Sequence, residues 1–223
     1  MTALPVTVLV VAKAPVAGQA KTRLAAAVGP DAAADIAAAA LLDTLDAVAQ
    51  ASVRARVVAM TGDLAGAHSG DEIRCRLADF ILISQRGTDF ADRLANVVAD
   101  ATAVAGPQPV LLIASDTPQV SAALLERCCD ALLSGPAVLG MAADGGWWVL
   151  GVHSPTDADV LRAVPMSTHD TGAVTRRALR AIGLDVTLVD VLRDVDTVED
   201  VVAVRDVCAP DSRFTRSTRA VGV

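Results

Sequence analysis

Short runs of Val, Leu and Ile alternate along the chain with longer Ala-rich stretches whose apolar residues recur at helical spacing. The runs predict strands over Val6–Ala12, Ala55–Thr61, Phe80–Ser84, Val110–Ala114, Ala137–Ala142, Trp147–Val152 and Val186–Val191. The longer stretches predict helices over Asp31–Ala51, Asp89–Val104, Ala122–Leu133, Thr171–Ile182 and Val198–Val207. This alternation is typical of βαβ units built around a parallel sheet.

One connection between predicted strands is too short for a crossover helix. Only Ala143–Gly146 separate the fifth strand from the sixth, so one of the two is expected to run antiparallel. We therefore predict a Rossmann-like, three-layer α/β/α fold around a mixed, mostly parallel sheet of about seven strands. Residues 1–208 are predicted to form a single domain. From about Ala209 the chain is polar and aperiodic, which predicts a flexible C-terminal tail over 209–223.

Composition and charge exclude several classes of protein. Hydrophobic residues make up 53% of the 223 positions and aromatic residues 2%, so the core must consist of Ala, Val and Leu. A formal charge of -7 disfavours nucleic acid as a partner. No apolar stretch is long enough to predict a membrane span. The four cysteines have no C-x-x-C spacing, and no positive charge precedes the apolar run at Leu4–Ala12. We expect reduced thiols, a first core strand rather than a signal peptide, and a cytoplasmic location; the oligomeric state stays open.

The first segment with candidate chemistry directly follows the first predicted strand. In an open α/β sheet, ligands bind at the carboxyl ends of the strands. Lys13, Lys21 and Arg23 gather there in an otherwise acidic chain and can neutralise phosphate oxygens. Gly18 allows backbone amides to approach an anion closely. The segment matches neither the Walker loop nor G-x-G-x-x-G. Phosphate binding is favoured over the alternative, a solvated surface loop.

A second segment, Ser115–Pro118, follows the strongly apolar strand Val110–Ala114. Asp116 is expected to emerge from this strand into the ligand crevice, next to Ser115 as a nucleotide contact. Mg²⁺ takes one or two carboxylates together with substrate phosphates, so a single Asp in this place suffices as a metal ligand. The alternative role for Asp116 is a helix N-cap, but Ser121 can serve as that cap instead.

The third segment, Asp144–Trp148, places two glycines between two strands. Trp147 and Trp148 are expected to point to opposite faces, one into the core and one towards the cleft. A tight hairpin with two core aromatics is an equally good interpretation. Asp144 is a stronger functional candidate than the tryptophans, because the glycines beside it indicate a tight bend or close backbone contact with a ligand.

A fourth segment, Asp194–Asp200, precedes the last predicted helix. Thr197 is a plausible N-cap with Asp200 three residues later, which leaves Asp196 free to act as a second metal ligand. The local sequence alone favours the alternative, a purely structural role for this segment. Two further loops are weaker candidates. Ser167 and Thr168, within Pro165–Asp170, lie before a helix and are candidates for acceptor contact, with His169 more typical of a solvated loop residue than of a general base.

The remaining loop, Gln85–Arg93, follows the third predicted strand and opens a helix. This position is a candidate site for a base or a ribose.

Taken in order, the segments K-A-P-x-x-G-x-x-K-T-R-L, S-D-T-P, D-G-G-W-W and D-V-D-T-x-E-D resemble the glycosyltransferase-like DUF2064 family over about Val6 to Val204. The resemblance implies the GT-A, or nucleotide-diphospho-sugar transferase, fold. The chain is more distantly similar to phospholactate guanylyltransferase, cytidylyltransferases and molybdenum-cofactor nucleotidyltransferases. These resemblances imply that Asp116 and Asp196 bind a divalent metal, Mg²⁺ or Mn²⁺, and that Lys21 and Arg23 contact a triphosphate.

Two departures from the family pattern affect the functional hypotheses. Trp147-Trp148 stands where D-G-G-Y-Y is usual, and Pro118 removes the D-x-D motif of many metal-dependent glycosyltransferases. The second departure weakens the case for sugar transfer. The leading hypothesis, motivated by the cations after the first strand, is nucleotidyl transfer from a nucleoside triphosphate to a small phosphorylated or anionic acceptor, with Lys21, Arg23 and Asp116 among the catalytic residues. The alternatives are glycosyl transfer from a nucleotide sugar, with Asp144 as acceptor base or sugar ligand, and a non-catalytic nucleotide-binding module.

Overall fold

The computed structural model describes residues 2–223, and its strands form one seven-stranded sheet of order β3-β2-β1-β4-β6-β5-β7. The strands are β1 (Leu4–Lys13), β2 (Val53–Thr61), β3 (Ile81–Ser84), β4 (Val110–Ala114), β5 (Ala137–Ala142), β6 (Trp147–Val152) and β7 (Val186–Leu192). Each predicted strand is present, because runs of Val, Leu and Ile suit a sheet covered on both faces.

The sheet is mixed, as the short fifth connection predicted. β1 pairs in parallel with β2 and with β4, β2 with β3, and β5 with β7. β6 lies between β4 and β5 and is antiparallel to both. The turn between β5 and β6 therefore lies at the edge of the sheet where the parallel strands end.

Helices cover both faces of the sheet. They are α1 (Thr22–Val28), α2 (Pro30–Gln50), α3 (Gly70–Leu77), α4 (Phe90–Ala105), α5 (Ala122–Ser134), α6 (Pro155–Ala158), α7 (Thr171–Ala181), α8 (Val198–Arg205) and α9 (Arg213–Val221), with 3₁₀ turns at Leu64–Gly66 and Asp159–Ala163. Successive residues of β1 alternate between the two layers: Val8 and Val10 pack in a cluster with α2, α3 and α5, and Leu9 packs in a cluster with α4, α6 and α7. This arrangement confirms the three-layer α/β/α fold. None of the helices within the described residues is both long and apolar enough to cross a lipid bilayer.

The expected flexible tail is the clearest correction to the sequence prediction. Most of it forms α9, which packs on α2 with Phe214 fully buried beside Leu24 and Ile36. The Phe214 amide donates a hydrogen bond to Asp43 Oδ2 at 2.8 Å. The prediction was wrong because α9 buries only one large apolar residue, Phe214. Its other buried side chains are Thr215 and Thr218, a residue type that is more often exposed.

Replacing Phe214 by Ala tests whether α9 is an integral part of the fold. The substitution removes a fully buried aromatic side chain, so the free energy of unfolding in denaturant should fall by about 3–5 kcal/mol. Arg219→Ala, on the exposed side of the same helix, is the control and should change it by less than about 0.5 kcal/mol. Equal, small effects of both substitutions would mean that the segment contributes nothing to stability.

Candidate functional site

A cavity of about 370 Å³ opens at the carboxyl edge of the sheet, where the sequence predicted the ligand crevice. It lies beyond the ends of β1 and β4, beside the β5–β6 turn, and between the first turns of α4 and α7. Its polar and charged lining residues are Lys13, Thr61, Gln85, Arg93, Ser115, Asp116, Asp144, Ser167, Thr168, Thr171 and Asp194. The residues in this list that belong to predicted candidate segments come from five separate segments of the chain, even without Asp194.

The central contact of the site joins Lys21 to Asp116. The Lys21 Nζ atom lies 2.6 Å from Asp116 Oδ2, and the two side chains are 16% and 30% exposed. Burial alone would lower the pKa of the Lys21 ammonium, but the adjacent Asp116 carboxylate offsets this and raises that pKa above its usual value. Lys21 is therefore held in its charged form against the carboxylate.

The backbone of Lys21 contributes to this contact. Lys21 precedes the first residue of α1 with φ 47° and ψ 52°, a left-handed conformation that is uncommon for a residue with a Cβ. It makes no side-chain cap for the helix, and its side chain reaches Asp116 instead. The Lys21 side chain thus joins the start of α1 to the loop after β4.

A second ion pair joins Arg23 to Asp196, with 2.8 Å between Arg23 Nη1 and Asp196 Oδ2. The Arg23 side chain is 77% exposed, so this pair is screened by solvent and weaker than the first. Thr197 caps α8 in a capping box with Asp200, as predicted, and Asp196 is not needed for that role. The two loops are also tied through the backbone, since Val195 N donates to Asp116 O at 3.0 Å.

Asp194 lines the cavity and was not identified from the sequence as a site residue. Burial, followed by repulsion from Asp116 and Asp144, raises the pKa of its carboxyl to about 6. Val195, between the two acids, is buried. Asp194 lines the cavity, whereas Asp196 pairs with Arg23. The alternation of polar and apolar residues in this short segment is the signal that could have identified Asp194.

The acidic groups of the site fit a divalent cation only if a ligand completes its coordination. Within residues 2–223, no three His, Cys, Asp or Glu side chains converge closely enough to hold a metal ion by themselves. Mg²⁺ is commonly bound through one or two carboxylates with the remaining oxygens supplied by phosphates and water. Burial is the main cause of the raised pKa of Asp194, and repulsion from Asp116 and Asp144 adds to it. A further cation near these carboxylates would offset that repulsion.

The turn between β5 and β6 fixes the opposite wall of the cavity. The Asp144 carboxylate accepts a hydrogen bond from Gly146 N at 2.7 Å. Gly145 has φ 92° and lies against the loop before α7, where a Cβ would come within 1.9 Å of the His169 carbonyl oxygen. Gly172 N donates to Gly145 O at 2.9 Å. Contacts of Gly145 with His169 and with Gly172 thus hold the loop that carries Ser167 and Thr168 at the cavity.

The two tryptophans point to opposite faces of the sheet, as predicted. Trp148 is 1% exposed and its Nε1 donates to Asp190 O at 2.8 Å. Trp147 lines the cavity, together with Phe90 and Met166, which the sequence did not single out as site residues. These apolar side chains give one part of the cavity a wall suited to an aromatic or aliphatic group.

The other predicted residues differ in how directly they face the cavity. Lys13 lines it and donates to Gln19 O at 2.8 Å, which closes the loop after β1. Arg23 and Asp196 pair with each other and are absent from the cavity lining within the described part of the chain. Gly18 has φ 75° and open space around its Cα among the described residues, so it provides freedom of the loop rather than a cavity wall.

The loop after β3 supplies a further polar wall. Gln85 Nε2 donates to Ala12 O at 2.8 Å and to Ala59 O at 2.9 Å, so the amide group links the ends of β1 and β2. Arg93 also lines the cavity, with its guanidinium 5.6 Å from the centroid of the Phe90 ring. This loop was a candidate base or ribose site in the sequence, and the structure brings it to the same cavity.

Gly145→Ala tests the close approach between the β5–β6 turn and the loop before α7. The added Cβ would overlap His169 O at a residue with φ 92°, so we expect a loss of at least about 2 kcal/mol in the free energy of unfolding. Gly18→Ala is the matched control: its φ is also positive but its surroundings are open, so the loss should be about 1 kcal/mol. Similar losses for both variants, measured by urea unfolding, would contradict the proposed steric role of Gly145.

His68 contacts the loop after β1 that carries Lys13, Lys21 and Arg23, called the cationic loop below. Its protonation is expected to make the stability of the fold depend on pH. Its backbone N donates to Pro15 O at 3.0 Å, and its ring lies 2.7 Å from Asp35 and 3.3 Å from Asp31. The hydrogen bond to Asp35 raises the pKa of His68 above its usual value, with burial acting in the opposite direction. A raised folded-state pKa stabilises the fold below the unfolded pKa, and this stabilisation is lost as the pH rises through the folded value.

We therefore expect His68→Gln to lower the free energy of unfolding more at about pH 5.5 than at about pH 8.5, because only the protonated ring is stabilised by the two acids. Urea unfolding of both proteins at each pH measures the difference. In an Asp31→Asn, Asp35→Asn background the same substitution should show little pH dependence. A pH-independent effect in the unmodified background would overturn this assignment.

Comparisons with known proteins agree with this architecture. The family described as "Uncharacterized protein conserved in bacteria (DUF2064)" matches residues 44–168. No curated protein matches the chain in sequence. Among solved structures, the chain is similar to a protein from Desulfovibrio desulfuricans G20 that is provisionally named a nucleotide-diphospho-sugar transferase. The two share 25% identity and a TM-score of 0.83 over 97% of this chain and 96% of that one.

Two more distant structures share the fold. A nucleotidyl transferase from Methanothermobacter is 19% identical, with a TM-score of 0.56 over 96% of this chain and 99% of that one. Rv0371c from Mycobacterium tuberculosis H37Rv, solved in complex with manganese, is 22% identical, with a TM-score of 0.54 over 90% of this chain and 97% of that one. These likenesses support the predicted nucleotide-diphospho-sugar transferase-like fold.

Proposed function

The chain belongs to the DUF2064 family, and from this premise and the geometry of its site we propose that it is a metal-dependent nucleotidyltransferase. It would join a nucleoside triphosphate to a small phosphorylated or anionic acceptor and release pyrophosphate. The observation that supports the proposal is the partly buried contact of Lys21 with Asp116 beside the cavity, which would put a phosphate-binding cation next to a metal-binding carboxylate. The similar fold of the Methanothermobacter nucleotidyl transferase supports the reaction class.

The proposed nucleotide position follows from the cationic loop. Lys21 and Arg23 would contact the β- and γ-phosphates, with Lys13, Ser115 and the backbone around Gly18 completing the phosphate site. The loop Gln85–Arg93 would contact the base or ribose. The triphosphate would then lie across the ends of β1 and β4, because Lys13 and Asp116 border the cavity there.

Asp116 and Asp196 are the proposed ligands of Mg²⁺ or Mn²⁺, and Asp194 adds negative charge beside them. A cation bound there would neutralise charge on the reacting phosphate. The other contribution of the chain is positioning: Asp144, Trp147, Ser167 and Thr168 would orient the acceptor from the wall fixed by Gly145. Catalysis of this kind needs no covalent nucleophile, since orientation and charge stabilisation supply the rate enhancement.

Glycosyl transfer from a nucleotide sugar is the second candidate. It is favoured by the provisional name of the Desulfovibrio protein, which is similar over nearly the whole chain. In that reaction Asp144, which lines the cavity, would act as the acceptor base or sugar ligand. The product distinguishes the two reactions, because glycosyl transfer releases a nucleoside diphosphate instead of pyrophosphate.

The proposal is tested with the purified protein, Mg²⁺ or Mn²⁺, each nucleoside triphosphate and a panel of small phosphates and carboxylates. We expect pyrophosphate release with one triphosphate, and a fall of at least about a thousandfold in kcat/KM for Asp116→Asn and for Lys21→Ala. Asp130→Asn and Arg127→Ala, both on α5 and outside the cavity lining, are charge-matched controls that should retain activity.

Three outcomes would contradict the proposal in different ways. Near-normal activity of the Asp116 or Lys21 variant would overturn the assigned roles. Release of nucleoside diphosphate from a nucleotide sugar would replace nucleotidyl transfer by glycosyl transfer. Metal-dependent nucleotide binding without turnover across the panel would favour a non-catalytic nucleotide-binding module.

A further inference from the structure

The two cations proposed to bind phosphates are paired with the two carboxylates proposed to bind the metal. Lys21 contacts Asp116 at 2.6 Å, and Arg23 contacts Asp196 at 2.8 Å. We propose that these ion pairs compete with the metal, so that the carboxylates become available to it only when the phosphates of a nucleotide take over the two cations. This inference rests on the proposed function and adds a coupling between its two ligands.

The competition is strongest at Asp116. A divalent cation of the size of Mg²⁺ approaches a carboxylate oxygen to about 2.0–2.1 Å. The ammonium of Lys21 already lies against Asp116 Oδ2, and its side chain is only 16% exposed. Two neighbouring positive charges in a partly buried site repel each other much more strongly than they do in water. Lys21 must therefore move away before a metal ion binds well to Asp116.

The loop that carries Lys21 has a conformation that favours such an exchange. Lys21 holds a left-handed backbone conformation and does not cap α1 with its side chain. Gly18, three residues earlier, also has a positive φ and open surroundings within the described chain. Movement of the Lys21 side chain towards a phosphate would thus break no helix cap.

Arg23 and Asp196 form the weaker of the two pairs. Arg23 is 77% exposed, and exposed ion pairs contribute little because solvent screens them. Asp196 is therefore released more easily than Asp116. The contribution of the two pairs to the competition should follow this difference in burial.

Exchange of partners makes the two ligands cooperative. A nucleotide that withdraws Lys21 strengthens metal binding, and by thermodynamic linkage the metal strengthens nucleotide binding by the same factor. In one arrangement the two cations pair with the carboxylates; in the other they pair with phosphates while the metal takes the carboxylates. A metal ion alone should bind weakly.

The test measures the affinity for Mn²⁺ alone, from the electron paramagnetic resonance signal of free Mn²⁺, without any nucleotide or acceptor. Lys21→Met should bind Mn²⁺ about tenfold more tightly than the wild type. Arg23→Met should bind it roughly twofold more tightly, because its pair is exposed. The matched control is Lys13→Met, which removes the same charge from a cavity-lining lysine that bonds to the Gln19 carbonyl rather than to a carboxylate.

Mn²⁺ affinity of Lys21→Met equal to or below that of the wild type would overturn the inference. An increase of the same size for Lys13→Met would also overturn it, since general loss of charge would then explain the result. Circular dichroism melting verifies that each variant is folded, and Lys21→Gln replaces Lys21→Met if the latter is not. Failure of the proposed function appears separately, as absence of pyrophosphate release, because the Mn²⁺ measurement involves no substrate.

Discussion

Parallel pairing of β1 with β4 is the constraint on which the site depends. Val11 lies opposite Ala114 in this pair, so the chain leaves both strands at the same edge and Lys21 can reach Asp116. β7 is parallel to β5, which brings Asp194 and Asp196 to this edge as well. The antiparallel β6 adds the fourth segment, because a short turn between β5 and β6 can form only at the edge where β5 ends. The hydrogen bonding of seven strands thus determines which polar loops meet.

Charge is distributed so that the cavity carries both signs although the whole chain is acidic. Burial, and then repulsion from Asp116 and Asp144, raises the pKa of the Asp194 carboxyl. Lys21 pairs with Asp116 beside these groups, and the pKa of its ammonium is raised. A neutral or an anionic ligand alone would leave the repulsion between these carboxylates unrelieved. A ligand that brings both phosphates and a metal cation would offer a partner to each of these groups, which agrees with the metal–nucleotide complex proposed above.

Much of the fold could be predicted from the sequence, because buried strands in this chain are short runs of Val, Leu and Ile that resemble nothing else in it. The antiparallel strand was predictable from a connection too short for a helix. α3 and α9 were missed since their sequences are mostly polar, and each is held by a few long-range contacts such as that of Phe214 with Asp43. The candidate residues after each strand were predictable because ligands bind at the carboxyl ends of the strands in an open α/β sheet. The partner of each residue was not: the pairing of Lys21 with Asp116, and the separate positions of Asp194 and Asp196, depend on side-chain packing between loops that no local pattern encodes.

The separation of these partners along the chain has a consequence for how the protein is made. Lys21 and Asp116 are 95 residues apart, and Arg23 and Asp196 are 173 residues apart. A ribosome releases the chain from its N-terminus, so the first cations emerge long before the last carboxylate does. A nascent chain that contains the cationic loop has no complete site until β7 has joined the sheet and the segment after it has docked. A fragment or a stalled chain that ends before this segment would therefore lack Asp194 and Asp196, two of the carboxylates at this edge of the sheet.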